Sequence, residues 1–318
     1  MRPRVVVTRD IGKEPLARLA ELADVVLLPA GWTTSALIKE LQTSEALLCN
    51  VTDTIDRELL RACPGLRIIS NYGVGYNHID VAYANERQII VTNTPGVLTE
   101  ATADLTWALL LDVSRRVSEG DRFVRQGRWA GWEPLFMLGR EVSGKSLGII
   151  GMGRIGKAVA ERAKGFRMRV VYCSRTRLPL EQEASLGVTF ANLEQCLSEV
   201  DYVTIHCPYT PETHHLIGAA ELSKMKSTAY LVNTARGPIV DEQALIVALK
   251  EGRIAGAALD VYEDEPHVPE ALRQMEQVVL APHLGSATFE TRLAMADLAV
   301  RNLTAYFQGE TPPHVVTG

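Results

Sequence analysis

The sequence is poor in cysteine, and what it has forms no pattern. Five cysteines are spread over 318 residues: Cys49, Cys63, Cys173, Cys196 and Cys207, with no Cys-x-x-Cys pair. An odd, scattered set argues against a disulfide framework and against a zinc site, so no metal is expected. Buried thiols in a reducing cytoplasm are expected instead. The N-terminus lacks the long apolar core of a signal peptide, and charges interrupt every apolar stretch before it reaches the length of a membrane span. A basic run is also missing. Lys and Arg number 33 against 38 Asp and Glu, a net charge of −5, so neither nucleic acid nor an anionic membrane is an expected partner. There is no repeat of solenoid period and no low-complexity tract.

What is present suits a two-domain globular chain. Hydrophobic residues make up 47%, enough for sizeable cores, and the length exceeds what one core usually serves. Short apolar runs alternate with helical stretches. Strands are expected at Arg4–Thr8, Asp24–Leu28, Ala46–Cys49, Leu66–Ser70 and Ile89–Thr92, with helices at Pro15–Ala23, Ser35–Gln42 and Asp56–Ala62. Glu100–Arg116 reads as a long helix crossing into a second domain, and 119–145 as mostly loop with one short helix. The rhythm then resumes, with strands at Ser146–Ile150, Arg169–Tyr172, Tyr202–His206, Ala229–Asn233, Ala255–Leu259 and Gln277–Leu280. Thr288–Gln308 reads as a helix returning to the first domain. The expected fold class is α/β: two Rossmann-like, doubly wound parallel-sheet domains. The dinucleotide-binding domain, 99–288, is inserted into a substrate domain formed by 1–98 plus 289–318.

Residues 149–156 read Ile-Ile-Gly-Met-Gly-Arg-Ile-Gly. A Gly-x-Gly-x-x-Gly loop between an apolar strand and a helix is a dinucleotide signature. Gly151 permits the tight turn, Gly153 lets backbone approach a pyrophosphate, and Gly156 lets helix pack on strand. NAD-binding folds usually place Asp or Glu about 20 residues further on, where it holds the ribose 2′-hydroxyl. Here that strand ends in Cys173-Ser174-Arg175-Thr176-Arg177, with no carboxylate before Glu181. Guanidinium groups suit a 2′-phosphate. NADP(H) is the preferred cofactor on this reading and NAD(H) the alternative, in which Arg175 and Arg177 are a solvated loop.

Three later strands end in polar residues: Arg236 in Asn233-Thr-Ala-Arg-Gly237, Asp260 with Glu265 in Leu259-Asp-Val-Tyr-Glu-Asp-Glu-Pro266, and His283 in Pro282-His-Leu-Gly-Ser286. Strand ends are where open α/β sheets hold their sites. With Asn71-Tyr-Gly-Val-Gly-Tyr-Asn-His-Ile-Asp80, Thr94-Pro-Gly96, Glu100-Ala-Thr-Ala-Asp104 and the glycine loop, these stretches carry a similarity that covers nearly the whole chain. Together they resemble the D-isomer-specific 2-hydroxyacid dehydrogenase family, in particular its glyoxylate/hydroxypyruvate reductases.

The resemblance implies a catalytic trio of Arg236, Glu265 and His283. His283 is the general acid, suited by an unperturbed imidazole pKa near 6.5. Glu265 pairs with the ring and favours imidazolium. Arg236 binds the carboxylate of a 2-oxo acid, aided by the backbone N–H groups of Val74 and Gly75. Each has a plain alternative: one of seven histidines with a structural role, a turn arginine, a solvated acid. The same resemblance implies the cofactor contacts. Gly153, Arg154, Ile155 and Gly156 line the pyrophosphate; Ser174, Arg175 and Thr176 meet the adenosine ribose or its phosphate. Pro208 and Thr213 cover the adenine-ribose side, although Pro208 also reads as a simple loop proline. Thr234, Ala235, Asp260, His283 and Gly285 border the nicotinamide, with Thr102 at the domain crossing.

In the family, the stretch corresponding to Trp132-Glu-Pro-Leu-Phe136 is an arm exchanged between subunits. A homodimer is therefore expected, the alternative being a loop packed on its own subunit. Asn50-Val-Thr-Asp53 carries no bulky aromatic, which leaves room for a small polar substrate. The implied activity is reduction of glyoxylate or hydroxypyruvate to D-2-hydroxy acids. Another D-2-hydroxyacid dehydrogenase, for example one acting on 2-ketogluconate, is an alternative, and a dinucleotide-sensing corepressor is one of another class.

Overall fold

The computed structural model describes residues 2–316, which divide into two compact units. The first unit runs to Leu98 and resumes at Ala287; the second is Thr99–Ser286.

The first unit is built from β1 (Arg4–Val7), α1 (Lys13–Leu22), β2 (Asp24–Leu27), α2 (Thr34–Leu41), β3 (Ala46–Asn50), α3 (Arg57–Ala62), β4 (Ile68–Tyr72), α4 (Val81–Glu86) and β5 (Ile90–Thr92). Its five strands lie in the order β2-β1-β3-β4-β5, all parallel. Because side chains alternate across a strand, Val6, Leu47, Cys49 and Ile69 enter one core while Val5, Val7, Leu48 and Ile68 enter another. Helix starts are set by short polar side chains that accept a first-turn N–H. Thr33 does so for α2, Asp56 for α3 and Asp80 for α4.

The second unit begins with α5 (Thr99–Arg115) and α6 (Val117–Arg125). It continues with β6 (Ser146–Ile150), α7 (Arg154–Ala163), β7 (Arg169–Cys173), α8 (Leu180–Leu186), β8 (Val188–Phe190), α9 (Leu193–Ser198) and β9 (Tyr202–Ile205). Then come α10 (Ala219–Lys224), β10 (Tyr230–Asn233), α11 (Glu242–Lys250), β11 (Gly256–Leu259), α12 (Glu270–Arg273) and β12 (Val278–Leu280). Its parallel sheet has the order β12-β11-β10-β9-β6-β7-β8. The chain winds outward from β6 through β7 to β8, then restarts on the other side at β9. That reversal is the doubly wound, Rossmann-like arrangement, with its switch point between β6 and β9. One face buries Ile150, Val203, Ile205 and Leu231; the other buries Ile149, Tyr172, Val232 and Ala258. The final helix, α13 (Phe289–Phe307), belongs to the first unit and packs Ala296, Ala299, Val300 and Leu303 against Val5, Val7 and Ile68.

Helices α4, α6, α8 and α12 and strand β8 fall in stretches expected to be loop or left unassigned, except for the one short helix anticipated within 119–145. Each is nine residues or shorter. All five cysteines are free; Cys49, Cys63 and Cys196 are buried, whereas Cys173 and Cys207 are only partly so. No helix among the described residues is long and apolar enough to cross a membrane.

Candidate active site

The glycine loop closes the carboxyl end of β6. Gly151 has φ +96°, and a Cβ there would lie 2.4 Å from the backbone nitrogen of Cys207. A Cβ on Gly156 would lie 2.2 Å from the carbonyl oxygen of Gly151. Backbone atoms cannot yield to such contacts, so turn and helix pack here only as glycine. Gly153 is different: it is the N-cap residue of α7, and a Cβ added there would meet nothing within 4 Å. Arg154, Ile155 and Gly156 form the first turn, and no side chain caps it. An uncapped helix start beside open space fits a pyrophosphate.

At the end of β7, the two arginines of Ser174-Arg175-Thr176-Arg177 part company. Arg177 donates to both oxygens of Glu183, each at 2.8 Å, and lies over the Phe190 ring. Tyr172 donates its hydroxyl to the same carboxylate at 2.7 Å. These hydrogen bonds hold the Glu183 carboxyl down at about 2. Of the two guanidinium groups expected in this stretch, Arg177 is thus committed to Glu183. Arg175 is exposed, and its charge helps to keep the Glu212 carboxyl low, after hydrogen bonds within the Thr210–Glu212 turn. Thr213 folds that turn, its hydroxyl donating to Pro208 O at 2.9 Å.

The tips of β10, β11 and β12 meet. His283 Nδ1 lies 2.7 Å from Glu265 Oε2. Tyr262 N–H donates to the other Glu265 oxygen at 3.1 Å. Burial alone would raise the Glu265 carboxyl, but the His283 hydrogen bond and charge, the Tyr262 N–H and the Arg236 charge outweigh it and lower it. Burial lowers the Arg236 pKa, and Glu265 works against that shift. The trio is thus one electrostatic cluster, with Glu265 hydrogen-bonded to His283 and lowered by the Arg236 charge as well.

The supporting backbone is held by groups that sequence reasoning gave other roles or missed. Asn233, absent from the expected site, donates to Arg236 O at 2.9 Å and accepts Ala235 N–H at 3.0 Å, bending the chain after β10. Asp260 is fully buried. Its two oxygens accept the N–H groups of Leu284 (2.6 Å) and Gly285 (2.8 Å), and its own carbonyl accepts His283 N–H. Desolvation raises the Asp260 carboxyl, offset in part by those N–H groups and by His283. The clamp holds His283 at φ +55°, a left-handed conformation unusual for a side chain of this size. Tyr262 adds a hydroxyl hydrogen bond to Ala281 O at 2.9 Å. Thr102 donates to Gly285 O at 2.9 Å, and Thr234 shares a hydrogen bond with Thr106 at 2.8 Å.

Two other histidines bear on the assignment. Burial pushes the His206 ring down to about 3, so it stays neutral and cannot serve as proton donor near neutral pH. His215 Nε2 lies 2.9 Å from Glu263, a second histidine–carboxylate pair. With Asp241 it forms a group whose ligand-type atoms lie within 4.8 Å of one another. Glu263, however, also accepts the N–H of Glu242, and Asp241 caps α11, so this pair is built into a helix start.

Residues 107–285 match the family model of the D-isomer specific 2-hydroxyacid dehydrogenase NAD-binding domain. A glyoxylate reductase of Thermococcus litoralis is 49% identical over 99% of this chain and 97% of its own length. One of Aeropyrum pernix is 52% identical over 99% and 96%. The crystal structure of an NADPH-dependent glyoxylate/hydroxypyruvate reductase from Sinorhizobium meliloti, in complex with NADP and malonate, superposes with a TM-score of 0.91. It is 37% identical and covers 100% of this chain and 97% of that one. The chain belongs to the D-isomer-specific 2-hydroxyacid dehydrogenase family.

Proposed function

We propose that this protein reduces small 2-oxo acids, glyoxylate and hydroxypyruvate, to 2-hydroxy acids of D configuration where the product is chiral. The observation that carries the reading is the His283–Glu265 pair at 2.7 Å, with the Arg236 charge acting on the same carboxylate. The reduced dinucleotide, when bound, supplies hydride to the carbonyl carbon. His283 gives a proton to the carbonyl oxygen, and Glu265 stabilises the imidazolium before that transfer. Arg236 takes the substrate carboxylate in a charge-assisted fork and draws charge from the carbonyl oxygen. The N–H groups of Val74 and Gly75 add donors to that carboxylate.

The dinucleotide is assigned to the glycine loop, with Gly153, Arg154, Ile155 and Gly156 at the pyrophosphate. Ser174, Arg175 and Thr176 take the adenosine ribose, and Pro208 and Thr213 the adenine side. Thr102, Thr234, Ala235, Asp260, His283 and Gly285 border the nicotinamide. NADP(H) is preferred: between β7 and Glu181 the chain carries no carboxylate to repel a 2′-phosphate, and Arg175 is exposed there. The Sinorhizobium meliloti relative, described as NADPH-dependent, supports the same preference.

The proposed partner is a second copy of this chain, a homodimer. Trp132 and Leu135 are 80% and 81% exposed, and large apolar side chains so placed mark an interface. Phe136 instead packs on Phe123 of its own α6, ring centroids 5.1 Å apart. Five free thiols suit a reducing cytoplasm.

Oxidation of NADPH and of NADH by purified protein, followed with glyoxylate, hydroxypyruvate, pyruvate and 2-ketogluconate in parallel, tests the reading. Glyoxylate and hydroxypyruvate are expected to have the highest kcat/KM. Turnover confined to 2-ketogluconate would contradict it.

A further inference from the structure

The loop after β4 contains three successive carbonyls that are all engaged by hydrogen-bond donors. Gly73 O accepts from Asn71 Nδ2 at 3.1 Å and from Thr94 N–H at 3.0 Å. Val74 O accepts from Asn93 Nδ2 at 2.9 Å. Gly75 O accepts again from Asn71 Nδ2, at 2.8 Å. In a planar trans peptide the N–H points opposite to the carbonyl of the same unit. The carbonyl of Gly73 shares its peptide with the N–H of Val74, and the carbonyl of Val74 shares its peptide with the N–H of Gly75. Fixing the two carbonyls therefore fixes the direction of both N–H groups. Among the described residues neither N–H meets an acceptor. Two adjacent, fixed N–H groups that meet no acceptor are available to an anion.

We infer that Asn71 and Asn93 are positioning residues for substrate binding: their side-chain amides fix the peptide planes that present the Val74 and Gly75 N–H groups to the substrate carboxylate. This rests on the proposed reduction of 2-oxo acids. Asn71 is fully buried, and its Oδ1 has no partner among the described residues. A buried unpaired acceptor costs stability, and the opposite amide orientation would set Oδ1 against two carbonyl oxygens. The residue thus leaves one polar atom unpaired to place its donor on the loop. Asn93 is itself anchored at both backbone groups. Its N–H donates to His314 O at 3.2 Å, and its carbonyl accepts from the fully buried Asn302 at 3.1 Å.

The decisive variants are at Asn93, which is only partly buried. Asn93→Leu keeps the size and removes the donor without adding charge; Asn93→Ser serves the same end should the leucine variant not fold. KM for glyoxylate and Ki for oxamate, an inhibitor bearing a carboxylate, are expected to rise about tenfold. The fall in kcat should be smaller, and dinucleotide Kd by fluorescence should not change. Asn93→Gln, which restores an amide donor, should recover part of the loss, and Asn71→Leu should act in the same direction. Unchanged KM and Ki in a folded donorless variant, with the unsubstituted protein active, would overturn this inference alone. So would a rise seen only in Asn93→Asp, since charge would then explain it. An unsubstituted protein that reduces no 2-oxo acid would overturn both this inference and the reading beneath it.

Discussion

Arg177 and Glu183 are joined by two hydrogen bonds of 2.8 Å, which makes Arg177 part of the second unit's framework rather than a spare charge beside the ribose. The two arginines should therefore separate in experiment. Arg175→Ala should raise KM for NADPH at least about tenfold and KM for NADH little, as expected for loss of a charge-assisted phosphate contact. Steady-state kinetics with both cofactors checks this; equal losses would contradict the 2′-phosphate assignment.

Arg177→Ala should act on stability and on its pH dependence. A carboxyl held at about 2 in the folded protein, against about 4.3 when unfolded, stabilises the fold fully above the higher value. That contribution is lost as pH falls from about 4.3 towards 2. Thermal unfolding across this range should show a shallower acid loss in Arg177→Ala than in the unsubstituted protein. Parallel curves would mean that the pair contributes nothing measurable.

His283→Ala should lower kcat for glyoxylate about 10²- to 10⁴-fold, the usual worth of a general acid, with dinucleotide binding retained. Glu265→Gln removes the anion that favours the protonated ring. Its kcat for glyoxylate should fall as well, by less than in His283→Ala. A pH–rate profile for each variant is the measurement; near-normal turnover in His283→Ala would remove the acid assignment.

Gly156→Ala should impair folding or dinucleotide binding outright. The added methyl would stand 2.2 Å from Gly151 O, and neither backbone segment can retreat without disturbing β6. Circular dichroism and cofactor titration together distinguish the two outcomes, and a variant normal by both would contradict the packing.

Leu135→Glu should shift the protein from dimer to monomer in sedimentation velocity, since it sets a charge on a side chain that is 81% exposed in the isolated chain. No change in sedimentation would place the dimer contact elsewhere or show the protein to be monomeric.

The parts of this molecule legible in the sequence are those where one residue type has one physical use. Gly151 needs its positive φ, and the apolar runs of β1, β6 and β10 are too short and too buried for anything but strands. The polar residues after β10, β11 and β12 singled out Arg236, Asp260 and His283. What stayed hidden is of two kinds. Helix α8 and strand β8 are short, and Leu180–Leu186 carries too many polar residues to show a clear apolar face. The other kind depends on pairing across the chain. Nothing in the letters says that Arg177 is committed to Glu183 while Arg175 is not, or that Asp260 grips the backbone beyond His283. The work of Asn71, Asn93 and Asn233 is equally silent, because an asparagine that holds a carbonyl looks in sequence like any loop asparagine.

Helix α13 supplies Ala296, Ala299, Val300 and Leu303 to the core beneath β1, β3 and β4, yet it follows the whole of Thr99–Ser286 in the chain. Strands β1, β3 and β4 must wait with one greasy side bare until the second unit has been made, whereas Thr99–Ser286 is continuous in sequence. Domains tend to fold as units during synthesis; here the unit begun first can be completed only after the other, and its bare strands are the exposed surface in the meantime.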